Sequence, residues 1–304
     1  MCDNDGFDSD GQSILTDPEA SFVAEFSDGY SFRNMFEYLR VTNSHGTFIF
    51  KKDEICYMQG DDNNTILNQI EILVHELPDY KFKSSTPEIV IGINIQDIRS
   101  ITKTIGKKDS VILYKQPNSN DIQIQIVNSS RGTGRQNYSK VRLQRREIPD
   151  YSLPDFQNDE KHPNFTIPSA DFSRTCTSIS SVKCDKIIIH GYPRGTQFDA
   201  VMHGGVVQRY ERMGSCEMIS GIVRDACILD ENGNPGKRVK MVVKSDGPVP
   251  SVVVRTSTIK ALSKLNNLSA NGTIKFYMEP DNPIKIMSKI GTYGTLRVYI
   301  KSYE

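Results

Sequence analysis

Two segments about 163 residues apart share one layout: SVILYKQPNSNDIQIQI, from Ser110, and TIKFYMEPDNPIKIM, from Thr273. Each is a strand-like run containing a tyrosine (Tyr114, Tyr277), a proline three residues later (Pro117, Pro280) and then an alternating strand. The context repeats as well. FVAEF, at 22–26, alternates as a half-buried strand does and leads into GYSFRNMFEYLRVT, with Phe32, Met35, Phe36 and Leu39 at helical spacing. FTIPSADFSRTCTSIS does the same in the second half, with Phe172, Cys176 and Ile179 on one helical face. A repeat of strand, helix, strands, strand, helix, strands describes a duplicated α+β domain.

Four helices are expected, at 29–42, 95–106, 169–181 and 257–267. The second carries Ile95, Ile98, Ile101 and Ile105 on one face and stops at Gly106; the fourth carries Ile259, Leu262 and Leu265. Between the copies lies RREIPDYSLPDFQNDEKHP, Arg145–Pro163, with three prolines, no period and charges of both signs: a surface linker. Its apolar Tyr151 and Leu153 either pin the strap to the body or form a docking ridge. The expected organisation is an acidic tail at 1–20, a domain at 21–144, a connector at 145–163 and a second domain at 164–304.

The formal net charge of zero, from 37 bases and 37 acids, hides an asymmetry. Residues 1–20 hold six acids and no base, so the rest of the chain carries 37 bases against 31 acids, a net of +6. The tail lacks periodicity and is expected to be disordered. The four expected helices contain Arg33, Arg40, Arg99, Lys103, Arg174, Lys260 and Lys264 against Glu37, Asp97 and Asp171. The bases mostly lie off the apolar stripes, so helices sharing one side of a sheet would make that side positive. The run from Ile122 to Arg146 has Arg131, Arg135, Lys140, Arg142, Arg145 and Arg146 and no acid. That reads either as a charged, solubilising sheet edge or as a basic flank for DNA or an acidic partner.

Catalytic signatures do not emerge. The five histidines make no ligand spacing, and no Walker A, G-x-G-x-x-G or G-x-S-x-G occurs. Asp8 and Asp10 precede Glu19 at calcium-loop distance, but Ser13 stands where that loop requires Gly. Asp61-Asp62 reads as a solvated turn. No metal, no cofactor and no enzyme activity are expected. The six cysteines are scattered without a C-x-x-C pair, as free thiols in a reducing, intracellular compartment are. No run approaches a membrane span and no secretory signal is expected, so the N-x-S/T triplets read as chance matches.

These residues resemble the sliding-clamp family of proliferating cell nuclear antigen (PCNA), over nearly all of 21–304. FVAEFSDGYSFRNMFEYL is similar to that family's opening strand and first helix, and INIQDIRSITKTIGKKDSVIL to its second helix. FTIPSADFSRTCTSIS is similar to the "M-P-S-x-x-F-x-R" entry to its third, and DNPIKIMSKIGTYGTLRVYI to its "V-P-L…G-x-L-x-Y-Y-L" ending. The divergence suggests a lineage far from animal clamps, such as a large DNA virus.

The resemblance implies a DNA clamp fold of two similar domains, each of antiparallel sheets with two helices, closing with identical subunits, as a homotrimer, into a ring around double-stranded DNA. Such a ring is a polymerase processivity factor and a platform for DNA polymerase, clamp-binding proteins and a clamp loader. It would sit in the nucleus, or at a cytoplasmic replication site if viral. It assigns Arg33, Arg40, Arg99, Lys103, Arg174, Lys260 and Lys264 to DNA, although the family's last-helix lysine falls on Asn267. It assigns Ile66, Leu67, Tyr151, Leu153, Pro154, Pro283 and Tyr299 to partner-peptide docking, and the family's small residue near the C-terminus falls on Lys301. It puts subunit edges near Tyr138–Arg142 (Tyr138, Lys140, Arg142) and Thr196–His203 (Phe198, Ala200, Met202). Two rival readings are a non-closing clamp relative serving a polymerase or transcription, and a β-rich structural subunit.

Overall fold

The computed structural model describes residues 19–302 except 129–135, 146–147, 149, 155, 157–159, 185, 203–204, 217–221, 230–234, 244–250, 270 and 280; for 222–229 and 235–243 it describes the backbone alone. The acidic tail, apart from Glu19 and Ala20, lies outside the described residues, as do Pro280, Arg131, Arg135 and Arg146.

The first half runs β1 (Phe22–Phe26), α1 (Gly29–Thr42), β2 (His45–Lys51), β3 (Glu54–Gly60), β4 (Ile66–Leu73), β5 (Tyr80–Phe82), β6 (Glu88–Asn94), α2 (Ile95–Thr102), β7 (Ser110–Lys115), β8 (Asp121–Val127) and β9 (Gln136–Arg142). The second runs β10 (Phe165–Pro168), α3 (Ser169–Ser180), β11 (Lys186–Tyr192), β12 (Arg194–Val201), β13 (Val207–Ser215), β14 (Ile222–Leu229), β15 (Pro235–Val243), β16 (Ser251–Val254), α4 (Thr256–Leu262), β17 (Thr273–Tyr277), β18 (Ile284–Ile290) and β19 (Gly294–Ile300).

The sheets repeat with the chain. In the first half the strand orders are β1-β7-β8-β9, with β5 added outside β1, and β6-β2-β3-β4; in the second they are β10-β17-β18-β19 and β16-β11-β12-β13. Every adjacent pair is antiparallel. The two-stranded β14-β15 sheet is inserted where the first half carries β5. The halves fuse because β19 pairs with β4, Gly294 opposite Ile72 through Ile300 opposite Ile66, making one eight-stranded sheet.

The helices start where the local chemistry allows. Asp28 caps α1, its carboxylate accepting from the Ser31 amide at 2.9 Å and hydroxyl at 2.6 Å. Asn94 caps α2 through the Gln96 amide at 2.8 Å. α2 ends four residues short of Gly106, because the Asp109 carboxylate takes the Gly106 amide at 2.7 Å and the Ile105 amide turns to the Thr102 carbonyl at 3.0 Å. Ile105 stays fully buried in that turn. α4 passes at Ser263 into a 3-10 turn, Ser263–Asn267, which keeps Leu265 buried.

One apolar core runs through both halves. Phe26 packs on Phe32 of α1 at 4.8 Å and on Tyr293, from the turn before β19, at 5.2 Å. Phe172 of α3 meets Phe276 of β17 edge-on at 5.5 Å. The apolar stripes read from the sequence are the faces that enter this core.

Candidate nucleic-acid face and partner groove

The four helices touch in series. α2 packs on α1, α1 on α4 and its 3-10 turn, and these on α3. Asn34 of α1 ties the two halves by donating Nδ2–H to the Asn267 carbonyl at 2.7 Å. With their apolar stripes buried against the sheets, the helices leave Arg40, Lys103, Arg174, Lys260 and Lys264 exposed. Arg174 is paired with Asp171, one turn earlier. The other two candidate bases are half-buried cross-ties. Arg33 donates Nη1–H to the Ile105 carbonyl at 3.0 Å and lies over the Tyr30 ring at 5.7 Å; Arg99 donates Nε–H to Glu37 at 3.0 Å, joining α2 to α1. Helical spacing could not separate them from the free bases, because their partners lie 72 and 62 residues away in the chain. Lys107 and Lys108, just past α2, are also exposed and fall outside the helix that the spacing predicts.

The connector lies across the eight-stranded sheet. The Tyr151 hydroxyl accepts from the Gly60 amide at 3.0 Å and the Gln59 amide group at 3.4 Å. Gly60 permits this approach, since a Cβ there would stand 3.0 Å from that hydroxyl. Beside the contact opens a groove of about 650 Å³ whose lining includes Ile66, Leu67, Tyr151, Pro154, Pro283 and Tyr299. Six of the seven docking candidates therefore meet, drawn from β4, the connector, the β17–β18 turn and β19. Leu153 does not join them: it faces a separate groove of about 500 Å³, with Ile148, Cys56 and Met58. Tyr151 and Pro154 thus line one groove and Leu153 another. Burial and the Glu54 hydrogen bond push the Cys56 thiol up to about 12, which keeps it protonated and unreactive at neutral pH.

Polar groups fix the main groove's walls. Asp61 accepts from the Thr65 amide at 2.7 Å, the Ile66 amide at 2.9 Å and the Thr65 hydroxyl at 3.0 Å, shaping the turn into β4. This is the turn role read for Asp61 in the sequence. Tyr299 donates to Gln69 at 3.0 Å, and burial pushes its hydroxyl up to about 12. Lys301, exposed at the mouth, is a lining residue that the sequence flagged only as a departure. Among the described residues no cluster of His, Cys, Asp or Glu could hold a metal ion, and no helix is long and apolar enough to cross a membrane.

The outermost strands bear on assembly. β9 is an edge, with Tyr138, Lys140 and Arg142 exposed. The other expected edge needs correction: β12 lies between β11 and β13, and its Phe198 and Ala200 are fully buried in the chain's own core. The free edge is β13, and of the expected trio only Met202, just beyond β12, is exposed. The charged QRYER run of β13 suits an exposed edge.

This architecture has a counterpart among solved structures. The crystal structure of Proliferating Cellular Nuclear Antigen from Entamoeba histolytica superposes with a TM-score of 0.69, covering 94% of this chain and 100% of that one. The fold is that of a sliding clamp. The two sequences are 15% identical, so the likeness carries architecture and not residue roles. No protein-family model matches the sequence, and no curated protein matches it.

Proposed function

We propose that this chain is a subunit of a DNA sliding clamp, a non-catalytic ring that holds a polymerase and other partners on duplex DNA. The observation that carries the reading is the row of exposed bases, Arg40, Lys103, Arg174, Lys260 and Lys264, on helices that touch in series across a duplicated clamp fold. Bases on a helix layer attract phosphates without reading sequence. A ring retains DNA by topology, so a few exchangeable contacts suffice and sliding remains possible. Arg33 and Arg99 act mainly by holding the helices together.

The domains are assigned to 21–144 and 164–304, with 145–163 as the interdomain connector. The groove beside Tyr151 is the docking site for apolar partner peptides, with Ile66, Leu67, Pro154, Pro283 and Tyr299 as its walls and Leu153 outside it. Clamp-binding proteins, a loader and two further copies of the chain are the partners, at the site where the DNA is replicated.

Retention on nicked circular DNA tests the reading. A closed clamp stays on the circle after loading and slides off once the circle is cut; equal binding to circle and short linear duplex overturns it. A second reading, a clamp relative that stays monomeric as a polymerase accessory, draws support from the base excess on two edge strands, Lys140 and Arg142 on β9 and Arg209 and Arg212 against Glu211 on β13. The mass in solution separates the two.

A further inference from the structure

The first sheet is buried on both of its faces. Phe22, Ala24 and Phe26 of β1, Val111 and Leu113 of β7 and Ile122, Ile124 and Ile126 of β8 enter the main core. By strand alternation the residues between them point the other way, to the side that water should reach. Yet Val23 is 3% exposed, Ile112 4% and Gln125 2%. Val23 and Ile112 form an apolar cluster separate from the core, with Tyr114 and Val127 packed against it. The ladders put Val23 opposite Tyr114 and Ile112 opposite Gln125, so the patch runs across three strands. Side chains on an open sheet face keep much of their surface in water, so burial at the level of the core requires a cover.

Among the described residues, Ala20 is the one member of this cluster from outside the three strands. Alternation continued back from Phe22 would send Ala20 into the core. It joins the outer cluster instead, next to a turn at Glu19, so the chain bends onto the outer face there. The root of the bend is fixed: the Ser21 amide donates to the Lys115 carbonyl at 2.7 Å, and the Lys83 amide donates to the Ser21 carbonyl at 2.8 Å. The segment that arrives at this point is 1–18, with Ile14 and Leu15 adjacent, Phe7 further back, five acids and no base.

We infer that residues 1–18 dock on the outer face of the β1-β7-β8 sheet, with Ile14 and Leu15 over Val23, Ile112 and Tyr114 and the acids toward bases at its margins. Reach allows it. Five or six extended residues separate Leu15 and Ile14 from Ala20, a span of up to about 17–20 Å, and strands lie about 4.8 Å apart. Charge agrees with it. The ladders line up Lys81, Val23, Tyr114, Gln123 and Lys140 in one row, so exposed lysines stand at both ends of the apolar patch. Lys81 already meets Asp79 at 2.8 Å, and Lys140 carries the larger part of the attraction. Glu25 lies opposite Ile112 on the same face, its carboxyl held above the ordinary range chiefly by burial and then by Asp79. An acid placed over the middle would be repelled there, whereas an aliphatic pair is not. Docked in this way, the tail keeps its acids on the outer face and away from the helix layer, where they would compete with phosphate for Arg40, Lys103 and Lys260.

The chain has no tryptophan, so one introduced residue reports on the tail of the full-length protein. Leu15→Trp is expected to emit at shorter wavelength than Asn4→Trp and to be quenched by acrylamide about threefold less readily or better. Adding Ile14→Asp, or Tyr114→Ala or Val127→Ala on the face, should lower the docked-to-free ratio about tenfold and bring the Leu15→Trp signal toward that of Asn4→Trp. Raising salt from about 0.05 M to about 0.5 M should leave most of the shielding, because the apolar pair carries the contact. Equal quenching at the two positions overturns the inference. So does shielding that no face variant moves, or shielding abolished by Arg40→Glu with Lys103→Glu, which would put the tail on the helix bases. Unchanged circular dichroism in the face variants shows that unfolding is not what the tryptophan reports. No DNA and no second copy enters the measurement, so its failure leaves the clamp reading intact.

Discussion

Arg297 of β19 and Glu160 of the connector share two parallel hydrogen bonds, Nε to Oε1 at 2.6 Å and Nη2 to Oε2 at 2.9 Å. The same guanidinium donates to Glu71 of β4 at 2.8 Å. Lys285, almost fully buried, places Nζ 3.6 Å from Glu160 and 4.5 Å above the Phe156 ring. The far end of the connector is thus fastened to the strand pair that joins the halves, while Tyr151 fastens its near end. Fork-to-fork geometry favours Arg here over Lys. Substituting Glu160→Ala should cost about 1–2 kcal/mol in chemical denaturation, below the ~3–5 kcal/mol of a fully buried pair because Glu160 is partly solvated.

The Arg297 hydrogen bond holds the Glu160 carboxyl below its ordinary range. A carboxylate whose folded value is depressed contributes stability above its unfolded value, about 4.3, and loses it as pH falls through the folded value. The melting-temperature gap between the unaltered chain and Glu160→Gln should be widest near neutral pH and close below about pH 4. A gap independent of pH would show that the carboxylate charge is not what fastens the strap.

The Tyr151 hydroxyl is the acceptor for the Gly60 amide. Tyr151→Phe should destabilise the chain by about 1 kcal/mol and loosen the groove wall, read as faster amide exchange at Gly60. Gly60→Ala pushes a methyl against the same hydroxyl and should give a similar or larger loss.

Beneath the groove, Tyr38 donates to Asn68 at 2.7 Å, and Asn68 donates in turn to Thr42 and Asn43 at 3.0 Å each, all buried. Tyr38→Phe leaves the Asn68 carbonyl oxygen without that donor and should cost about 1–3 kcal/mol in urea unfolding. The network's members are polar, so hydrophobic patterning could not reveal it.

The helix bases divide into two groups with different signatures. Changing Arg40, Lys103, Lys260 or Lys264 singly to Ala should lower duplex affinity and reduce the salt slope of binding by about 1 each, with melting unchanged. Arg33→Ala and Arg99→Ala should lower the melting temperature, because they remove ties to Ile105 and Glu37. Salt titration of binding beside thermal melts separates the two groups.

The duplication, the element order and the apolar faces of all four helices are written in the sequence, because they depend on short-range periodicity: Phe32 and Phe36, or Ile95 and Ile98, meet one face by spacing alone. Three things depend on contacts across the whole chain. Arg33 and Arg99 became braces because their partners arrive from distant segments. Tyr151 and Leu153 parted because each is held by residues brought from other strands, the Gly60 amide at the Tyr151 hydroxyl and Cys56 and Met58 of β3 in the groove with Leu153. β13, not β12, became the edge because strand order is set by which ladders close in three dimensions, and alternation reports only that one face of a strand is buried. Local spacing therefore determined what each element is; the closing of the sheets decided which residues are left outside them.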